Sequence, residues 1–396
     1  MSDDSNWLER LFAGLVRLSA SERLLVSLGA IIVATGVGMV VILAAGYTAT
    51  CETPVLFIFG VEFCYNPVEV YRVLFSGAFG NSFGRATTLQ WTTLLLFTGL
   101  SFAIPYKAGL FNIGGQGQFV LGSLGSAVAV VWVAGLVPSG TTGRFVLIPV
   151  GLFAGALVGG AYGLIPAYLK VRFEMNEVIT TLLLNFIATA VAFVFVDRYF
   201  DDSTVQGTQT PALPQEATFE PWLFPSSANF SIFVFVFGVV VLVGFYWLLA
   251  RSRIGYDIQA LGTQPKAAVF GGVNERRTTL FSMAMAGIVA GLGGALFVMM
   301  VIGRWQTGAP PVGFDGIAVS ILAGNSPAGL LPAGLLFGAL QSGGQVVQLQ
   351  TGIPGELVGV LRGLVILLVA TPELFRALGR RLDRRGVIDI NEGETE

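Results

Sequence analysis

Long runs of apolar residues set the strongest limit on how this chain can fold. Several exceed about 18 residues, the length at which a helix crosses the hydrocarbon core of a bilayer. Lipid offers the backbone no hydrogen bonds, so segments that span it must satisfy their own. With 54% hydrophobic and 12% charged residues, the chain cannot be a water-soluble globule. The sequence therefore predicts an all-α fold, a polytopic transmembrane helical bundle in a cell membrane.

Composition excludes several kinds of chemistry. The formal net charge of -2 argues against a nucleic-acid partner. The chain has no His and two Cys, so His proton relays and His or Cys metal sites are excluded. No GxxxxGK[ST] phosphate loop occurs, and no nucleophile is evident beside a general base. We therefore expect no metal, no cofactor and no catalytic residue, and the chain is not expected to be an enzyme.

The apolar pattern divides the chain into spans and one broken segment. The predicted spans are 24–45, 86–106, 112–134, 145–169, 176–196, 230–250, 280–302 and 357–370. The broken segment, 316–344, is interrupted at 325–327 by Asn-Ser-Pro. Residues 1–23 have the spacing of an amphipathic helix lying in the membrane interface. The predicted domains are this N-terminal segment, a transmembrane domain 24–371 and a basic-then-acidic tail 372–396.

The distribution of Lys and Arg predicts the orientation, because cytoplasmic loops hold the excess. The basic residues that decide it are Arg10, Arg17, Arg23, Lys170, Arg172, Arg251, Arg253, Lys266, Arg276, Arg277, Arg376, Arg380, Arg381, Arg384 and Arg385. All lie inside if both termini are cytoplasmic and 316–344 crosses twice, as a re-entrant hairpin or two thin spans. The bundle then has about ten passes, and the break lies near a pathway because non-helical backbone at membrane depth needs protein or water around it.

The two cysteines fall together in the outer loop that follows the first span. Cys51 and Cys64 would there meet oxidising conditions that permit a disulfide. Two unpaired thiols in a loop remain the alternative.

A polar stripe opens the third predicted span. Asn112, Gln116, Phe119, Ser123 and Ser126 follow the spacing of one helix face. One interpretation is hydrogen bonding between helices. The other is a substrate pathway in which amides meet sugar hydroxyls or base edges and the aromatic ring stacks.

A second stripe lies in the fifth predicted span, where Glu177, Thr181 and Asn185 are spaced by fours. An ionisable group in a span is a functional hypothesis by default. Glu177 also lies near two basic residues, which favours snorkelling or a salt bridge. Asp315 could cap the first half of the broken segment or line the pathway. Asn325, at the break, is expected to line the pathway.

Glycines recur on one face of two spans. Gly151, Gly155, Gly159 and Gly163 are spaced by fours in the fourth, and Gly287, Gly291 and Gly294 are similar in the seventh. Small residues let helix backbones approach closely in lipid. Both faces are predicted to pack against other helices.

The polar stretch 251–278 is far longer than a connection between helices requires, since two to about eight residues are usual. We therefore expect it to have a task of its own. Our hypothesis is that it docks a cytoplasmic partner that drives movement of the spans around it.

Four motifs occur in a fixed order along the chain. They are FNIGGQGQ (111–118), MNEVITTLLLNFIA (175–188), GTQPKAAVFGGVN (262–274) and GFDGIAVSILAGNSPAGLLPAGLLFGALQSG (313–343). Together they resemble the permease subunits of ATP-binding-cassette (ABC) importers in the branched-chain amino acid and simple sugar permease superfamily. The chain is most similar to nucleoside importers that work with a basic membrane lipoprotein, over about residues 87–371.

This resemblance implies an assembly of two permeases, identical or homologous, two ATPase subunits that bind ATP, and an external substrate-binding lipoprotein. It also implies that 251–278 is the segment that fits a groove in the ATPase. The residues implied are Tyr256, Gly262, Gln264, Pro265, Ala267, Ala268 and Gly271. The chain departs from the family pattern at Gln116, where Glu is common, and at Gln264, where Asn is common.

The function that we expect is transport of nucleosides or simple sugars by alternating access. A permease for branched-chain amino acids is one alternative. A self-contained carrier driven by an ion gradient is another, but it would need buried acidic or His sites, of which this chain offers few.

Overall fold

The computed structural model describes residues 20–51, 53–202 and 206–384. Its α-helices are α1 (Ala20–Thr48), α2 (Pro67–Phe75), α3 (Ser82–Lys107), α4 (Gly115–Ala134), α5 (Thr141–Phe173), α6 (Glu177–Tyr199), α7 (Ile232–Arg251), α8 (Arg253–Thr263), α9 (Pro265–Phe270), α10 (Glu275–Leu296), α11 (Val312–Leu322), α12 (Pro327–Thr351) and α13 (Gly355–Arg384). Single π-helical turns, Ser76–Gly80 and Phe297–Ile302, follow α2 and α10, and short 3-10 turns occur at Gln215–Ala217 and Ser226–Ala228. Strands β1 (Leu56–Ile58) and β2 (Val61–Phe63) form an antiparallel hairpin.

Helical content confirms the predicted class of fold. In the described part of the chain, seven helices are long and apolar enough to cross a membrane: α3, α4, α5, α6, α7, α10 with its π turn, and α12. Two shorter apolar helices, Ile32–Thr48 and Val312–Leu322, add to them. The total of ten passes stays a prediction. Residues 1–19 of the predicted interfacial segment and 385–396 of the tail lie outside the described residues.

The structure corrects three local details. Helix α4 begins at Gly115 rather than at Asn112, because the residues before it use their backbone groups for tertiary hydrogen bonds. Segment 251–278 contains the two helices α8 and α9 and is not an open loop. Asp315 lies in the first turn of α11, whereas Pro311 occupies the cap position. The predicted break at 325–327 does separate α11 from α12.

The described part of the chain divides into two compact units, one formed by the described residues between 78 and 342 and the other by those of 20–77 and 343–384. In the first, α3 is the most buried of the spans. Most of its threonines donate hydrogen bonds to carbonyls of their own helix, as Thr93 does to Leu89 (2.7 Å), and Thr88 donates to the Ala78 carbonyl of the preceding π turn (3.0 Å), so these hydroxyls are satisfied without water. The helix can therefore be buried although it is rich in Thr.

Helices α5 and α10 meet through their glycine faces in the same unit. A methyl group on Gly291 would lie 2.2 Å from the carbonyl oxygen of Gly155, and one on Gly287 would lie 2.2 Å from that of Gly159. Backbone therefore lies against backbone along this contact, which confirms the close packing predicted from the glycine spacing.

The second unit is built on α1, the β-hairpin, α2, the last turns of α12 and α13. Its core consists of Ile42, Val70, Val73, Val347, Ile353 and Leu361. A disulfide joins Cys51 to Cys64, and the Cys64 amide donates to the Gly46 carbonyl (2.9 Å). The base of the hairpin is thus fixed to the last turns of α1.

Candidate functional site: a polar node at membrane depth and an exposed helix pair

A short non-helical segment, residues 111–114, lies inside the bundle between α3 and α4. The side-chain Nδ2 of Asn112 donates to the Ser101 carbonyl at 3.4 Å. Ser101 precedes the end of α3, Lys107, by six residues, or about 9 Å along the helix axis. Irregular backbone therefore lies beside the last turns of a span-length helix rather than beyond its end, and within a membrane such backbone is tolerated where protein or a watery cavity surrounds it.

Side chains of α6 supply hydrogen-bond partners for backbone groups of this segment and of the first turn of α4. The Ile113 amide donates to the Thr181 hydroxyl (3.1 Å), and the Gly117 amide donates to Asn185 Oδ1 (2.7 Å). Asn185 Nδ2 donates in turn to the Ile113 carbonyl (2.9 Å). One asparagine therefore satisfies a donor and an acceptor on two different residues of the partner segment.

Gln116, in the first turn of α4, connects this helix to α11. Its Nε2 donates to the Pro310 carbonyl (3.0 Å), and its Oε1 accepts from the Gly313 amide (2.7 Å). A methyl group on Gly313 would lie 2.3 Å from the Gln116 amide nitrogen, so glycine is required for this approach. The neutral amide suits this geometry because it both donates and accepts, which a carboxylate does not.

We call the buried residues Asn112, Gln116, Gln118, Thr181 and Asn185 the amide node. Gln118 was absent from the sequence-based set because it falls off the stripe that begins at Asn112. Its Oε1 nevertheless accepts from Asn112 Nδ2 (3.3 Å). The signal that could have found it was the motif FNIGGQGQ itself, where two glutamines follow one asparagine.

The remaining residues of the first stripe pack within the bundle. The Phe119 ring is fully buried, and its centroid lies 5.5 Å from that of Phe297. The backbone of Phe119 contacts Gly294 so closely that any larger residue there would overlap its carbonyl. The Ser123 hydroxyl donates to the Val120 carbonyl (2.7 Å).

The other predicted pathway residues lie at the ends of elements. Lys170 Nζ contacts Glu177 Oε2 at 2.8 Å, which is the ion pair that the sequence favoured. Asp315 is half-buried in the first turn of α11. Asn325 is buried at the α11–α12 junction with a φ of 53°, and its Oδ1 accepts from the Ser320 hydroxyl (3.1 Å). A pathway role for these residues stays a prediction.

Helix α8 packs against the ends of several spans. Ile258 is buried in a cluster with Ala108, Leu110, Ala167, Leu249 and Met283. Gly262 lies against the end of α3, where a methyl group would come within 2.1 Å of the Lys107 carbonyl oxygen. Movement of α8 is therefore coupled by direct contact to α3.

Helix α9 presents an exposed surface next to this attachment. Pro265 begins the helix and only Ala268 is buried, whereas Lys266 and Ala267 are exposed. Phe270 is 97% exposed, which sequence reasoning missed because periodicity does not report exposure in so short a helix. Gly271 has room for a side chain, since a methyl group would meet only carbonyls at 3.4 Å.

Residues 208–219 form hydrogen bonds with the π turn Phe297–Ile302 and with Gly303, which follow α10. The Leu213 amide donates to the Gly303 carbonyl (2.8 Å), and the Phe219 amide donates to the Met299 carbonyl (3.1 Å). Nearby, a cavity of about 290 Å³ is lined by Arg144, Glu216 and Glu220. The hydrogen bond from Arg144 lowers the pKa of Glu220 below its ordinary value, and one from the Gly140 amide lowers the pKa of Glu216.

Apolar spans around a buried polar site with interrupted helices are a feature that membrane transport proteins share. The chain belongs to the family described as branched-chain amino acid transport system / permease component, whose model matches residues 84–370. It is therefore a permease component of an ABC transport system, a transport subunit rather than an enzyme. Such a component works with ATPase and substrate-binding partners.

Characterised relatives carry more specific names. A nucleoside ABC transporter permease of Lactococcus lactis, NupB, is 32% identical over 78% of this chain and 85% of its own length. A glucose ABC transporter permease of Haloferax volcanii, TsgB13, is 32% identical over 81% of this chain and 85% of its own. A guanosine ABC transporter permease of Bacillus subtilis, NupP, is 29% identical over 92% and 98%.

Proposed function

We propose that this chain is the permease of an ABC importer for nucleosides, with simple sugars as the next candidate. The observation that carries the proposal is the pair of relatives named for nucleosides and guanosine, one of which aligns over 92% of this chain. The glucose permease is equally similar at 32% identity, so the sugar is kept as an explicit alternative. Both substrates present ribose-like or pyranose hydroxyl groups that neutral amides can bind.

Passage occurs by alternating access in an assembly of several chains. Two permeases, identical or homologous, form the membrane core, and an external lipoprotein delivers the substrate. ATP is bound by the partner ATPase, and this chain holds no cofactor. Both termini are cytoplasmic, as the distribution of Lys and Arg favours.

The pathway passes beside the amide node. Irregular backbone at membrane depth supports this placement, since discontinuous helices in transporters border binding sites. Asn112, Gln116, Thr181 and Asn185 use their polar groups mainly on backbone partners. Their role is to hold the shape of this wall, and Glu177, Asp315 and Asn325 border it at the ends of the helices.

Helices α8 and α9 transmit force from the ATPase. The attachment of Gly262 to the end of α3 supports this, as does the exposed face formed by Tyr256, Lys266, Ala267 and Phe270. Pro265, Gln264, Ala268 and Gly271 shape the helix that carries this face. An aromatic side chain exposed beside polar groups is typical of an anchor for a protein partner.

The test is ATP hydrolysis by the reconstituted assembly in proteoliposomes. The permease pair, its ATPase and its binding protein should show hydrolysis stimulated by a nucleoside and accumulate labelled nucleoside. Glucose and leucine serve as competing substrates in parallel. Stimulation by glucose alone would move the assignment to sugars, and stimulation by leucine alone would contradict both.

A carrier driven by an ion gradient predicts something different. Uptake would then persist in vesicles that contain the permease but neither ATPase nor ATP. We expect no uptake above background in such vesicles.

A further inference from the structure

The β-hairpin 55–63 exposes an unusual amount of apolar surface for a segment outside the spans. Val55, Phe57, Phe59 and Val61 are all exposed, and Phe59 is fully so. Glu62 is the one ionisable residue in the hairpin, and it pairs across the strands with Phe57. Val61 pairs with Ile58 and so lies on the opposite face from Phe57, and both faces of the hairpin therefore expose apolar side chains that converge on the tip. Exposed apolar surface of this kind in a connection between spans marks a contact with a membrane or a partner.

The turn of the hairpin places Phe59 where the backbone disfavours it. Phe59 and Gly60 have φ values of 49° and 80°. Two positive φ values are the mark of a type I′ turn, in which Asn-Gly or Asp-Gly is preferred. A bulky side chain at such a position is strained and is rare without a function. The sequence therefore places an aromatic ring at the tip despite a backbone cost.

The base of the hairpin lies at the end of a predicted span. Cys64 is bonded to the Gly46 carbonyl, and the Cys51–Cys64 disulfide closes the connection. The ring of Tyr47, in the last turn of α1, lies 6.2 Å from the ring of Phe63. Tyr at the end of a span is typical of the membrane–water interface. The hairpin is consequently held at the depth where lipid headgroups begin.

We propose that the hairpin 55–63 is a lipid anchor, whose tip ring Phe59 inserts into the bilayer leaflet at the face where α1 ends. Lipid is favoured over a protein partner because the hairpin offers apolar rings and almost no charge, and because its base is fixed at interface depth. The disulfide keeps the tip rigid, so that inserting it costs little additional conformational entropy. The anchor does not depend on which substrate is transported.

The test places a solvatochromic fluorescent amino acid at position 59 of the full-length permease in phosphatidylcholine nanodiscs, without any partner protein. The emission should be blue-shifted and quenched at least about twofold by lipids with brominated acyl chains, as for a group buried at the acyl boundary. The same label at Ser227, an exposed polar position outside the spans, is the matched control and should stay unquenched. Equal, red-shifted emission at both positions would overturn the proposal.

A second variant separates the ring from the turn. Phe59→Asn suits the type I′ turn but removes the apolar tip. The variant should elute and unfold in detergent as the unmodified chain does, while a label at Phe57 should lose about half of its lipid quenching. Unchanged quenching at 57 would contradict insertion through the tip. A blue shift without quenching by brominated lipid, appearing only after a binding protein is added, would assign the tip to a protein partner instead.

Discussion

Asn185 contributes to the amide node through two hydrogen bonds to backbone groups. Its carboxamide accepts from the Gly117 amide and donates to the Ile113 carbonyl, and the side chain is buried. A buried backbone group left without a partner costs about 1–3 kcal/mol. Side chains of this kind explain why irregular backbone persists among apolar helices.

Asn185→Ala should therefore lower the free energy of unfolding by about 1–3 kcal/mol for each group left unpaired. Unfolding in detergent, followed by thermal or denaturant titration, measures the change. Thr189→Ala is the control, because Thr189 lies one turn further on the same helix, is exposed and donates only to a carbonyl within α6. Equal free energies of unfolding for both variants would show that the hydrogen bonds of Asn185 contribute little to stability.

The contact between α5 and α10 illustrates a constraint at the scale of elements. Two apolar helices gain no hydrophobic free energy from associating in lipid, so backbone contact has to stabilise the pair. Glycines on both faces make that contact possible. The same glycines would destabilise a helix in water, so their function lies in the pair and not in either helix alone.

Gly291→Ala should abolish stable folding, because the added methyl group meets the Gly155 carbonyl at 2.2 Å and backbone cannot yield as a side chain can. Gly244→Ala on α7 is the control, since a methyl group there meets nothing within 4 Å. Fluorescence-detected size-exclusion chromatography of the two variants gives the yield of monodisperse protein. A normal yield of monodisperse Gly291→Ala protein would contradict the close backbone contact between α5 and α10.

At the scale of the whole molecule, the attachment of α8 to the spans and the exposure of α9 matter together. A surface that only bound the ATPase would not move the pathway, and a segment that was only packed would not be reached by a partner. Gly262 packs against the end of α3 and so links the helix pair to the spans. Phe270 is exposed and so can be reached by a partner.

Phe270→Ser should weaken binding of the ATPase by at least about 30-fold, since truncation of an aromatic anchor typically costs about 2 kcal/mol or more. Gly271→Phe should act in the same direction, because a side chain fits locally but projects beside the anchor. Leu136→Ser, also exposed but between α4 and α5, is the control and should bind normally. Pull-down and stimulated hydrolysis measure the effect, and unchanged coupling in both variants would contradict the assignment.

The sequence by itself determined the long apolar helices of this protein, because long apolar runs permit only helices in lipid and the break at 325–327 cannot continue one. It also placed the two cysteines in one connection and the glycines on two faces. Only the tertiary structure decided which groups those elements satisfy. That α4 begins at Gly115, that Gln118 belongs to the node and that Phe59 and Phe270 project outward follow from contacts between distant residues. Periodicity reports the face of a helix, but it cannot report the partner that the face meets.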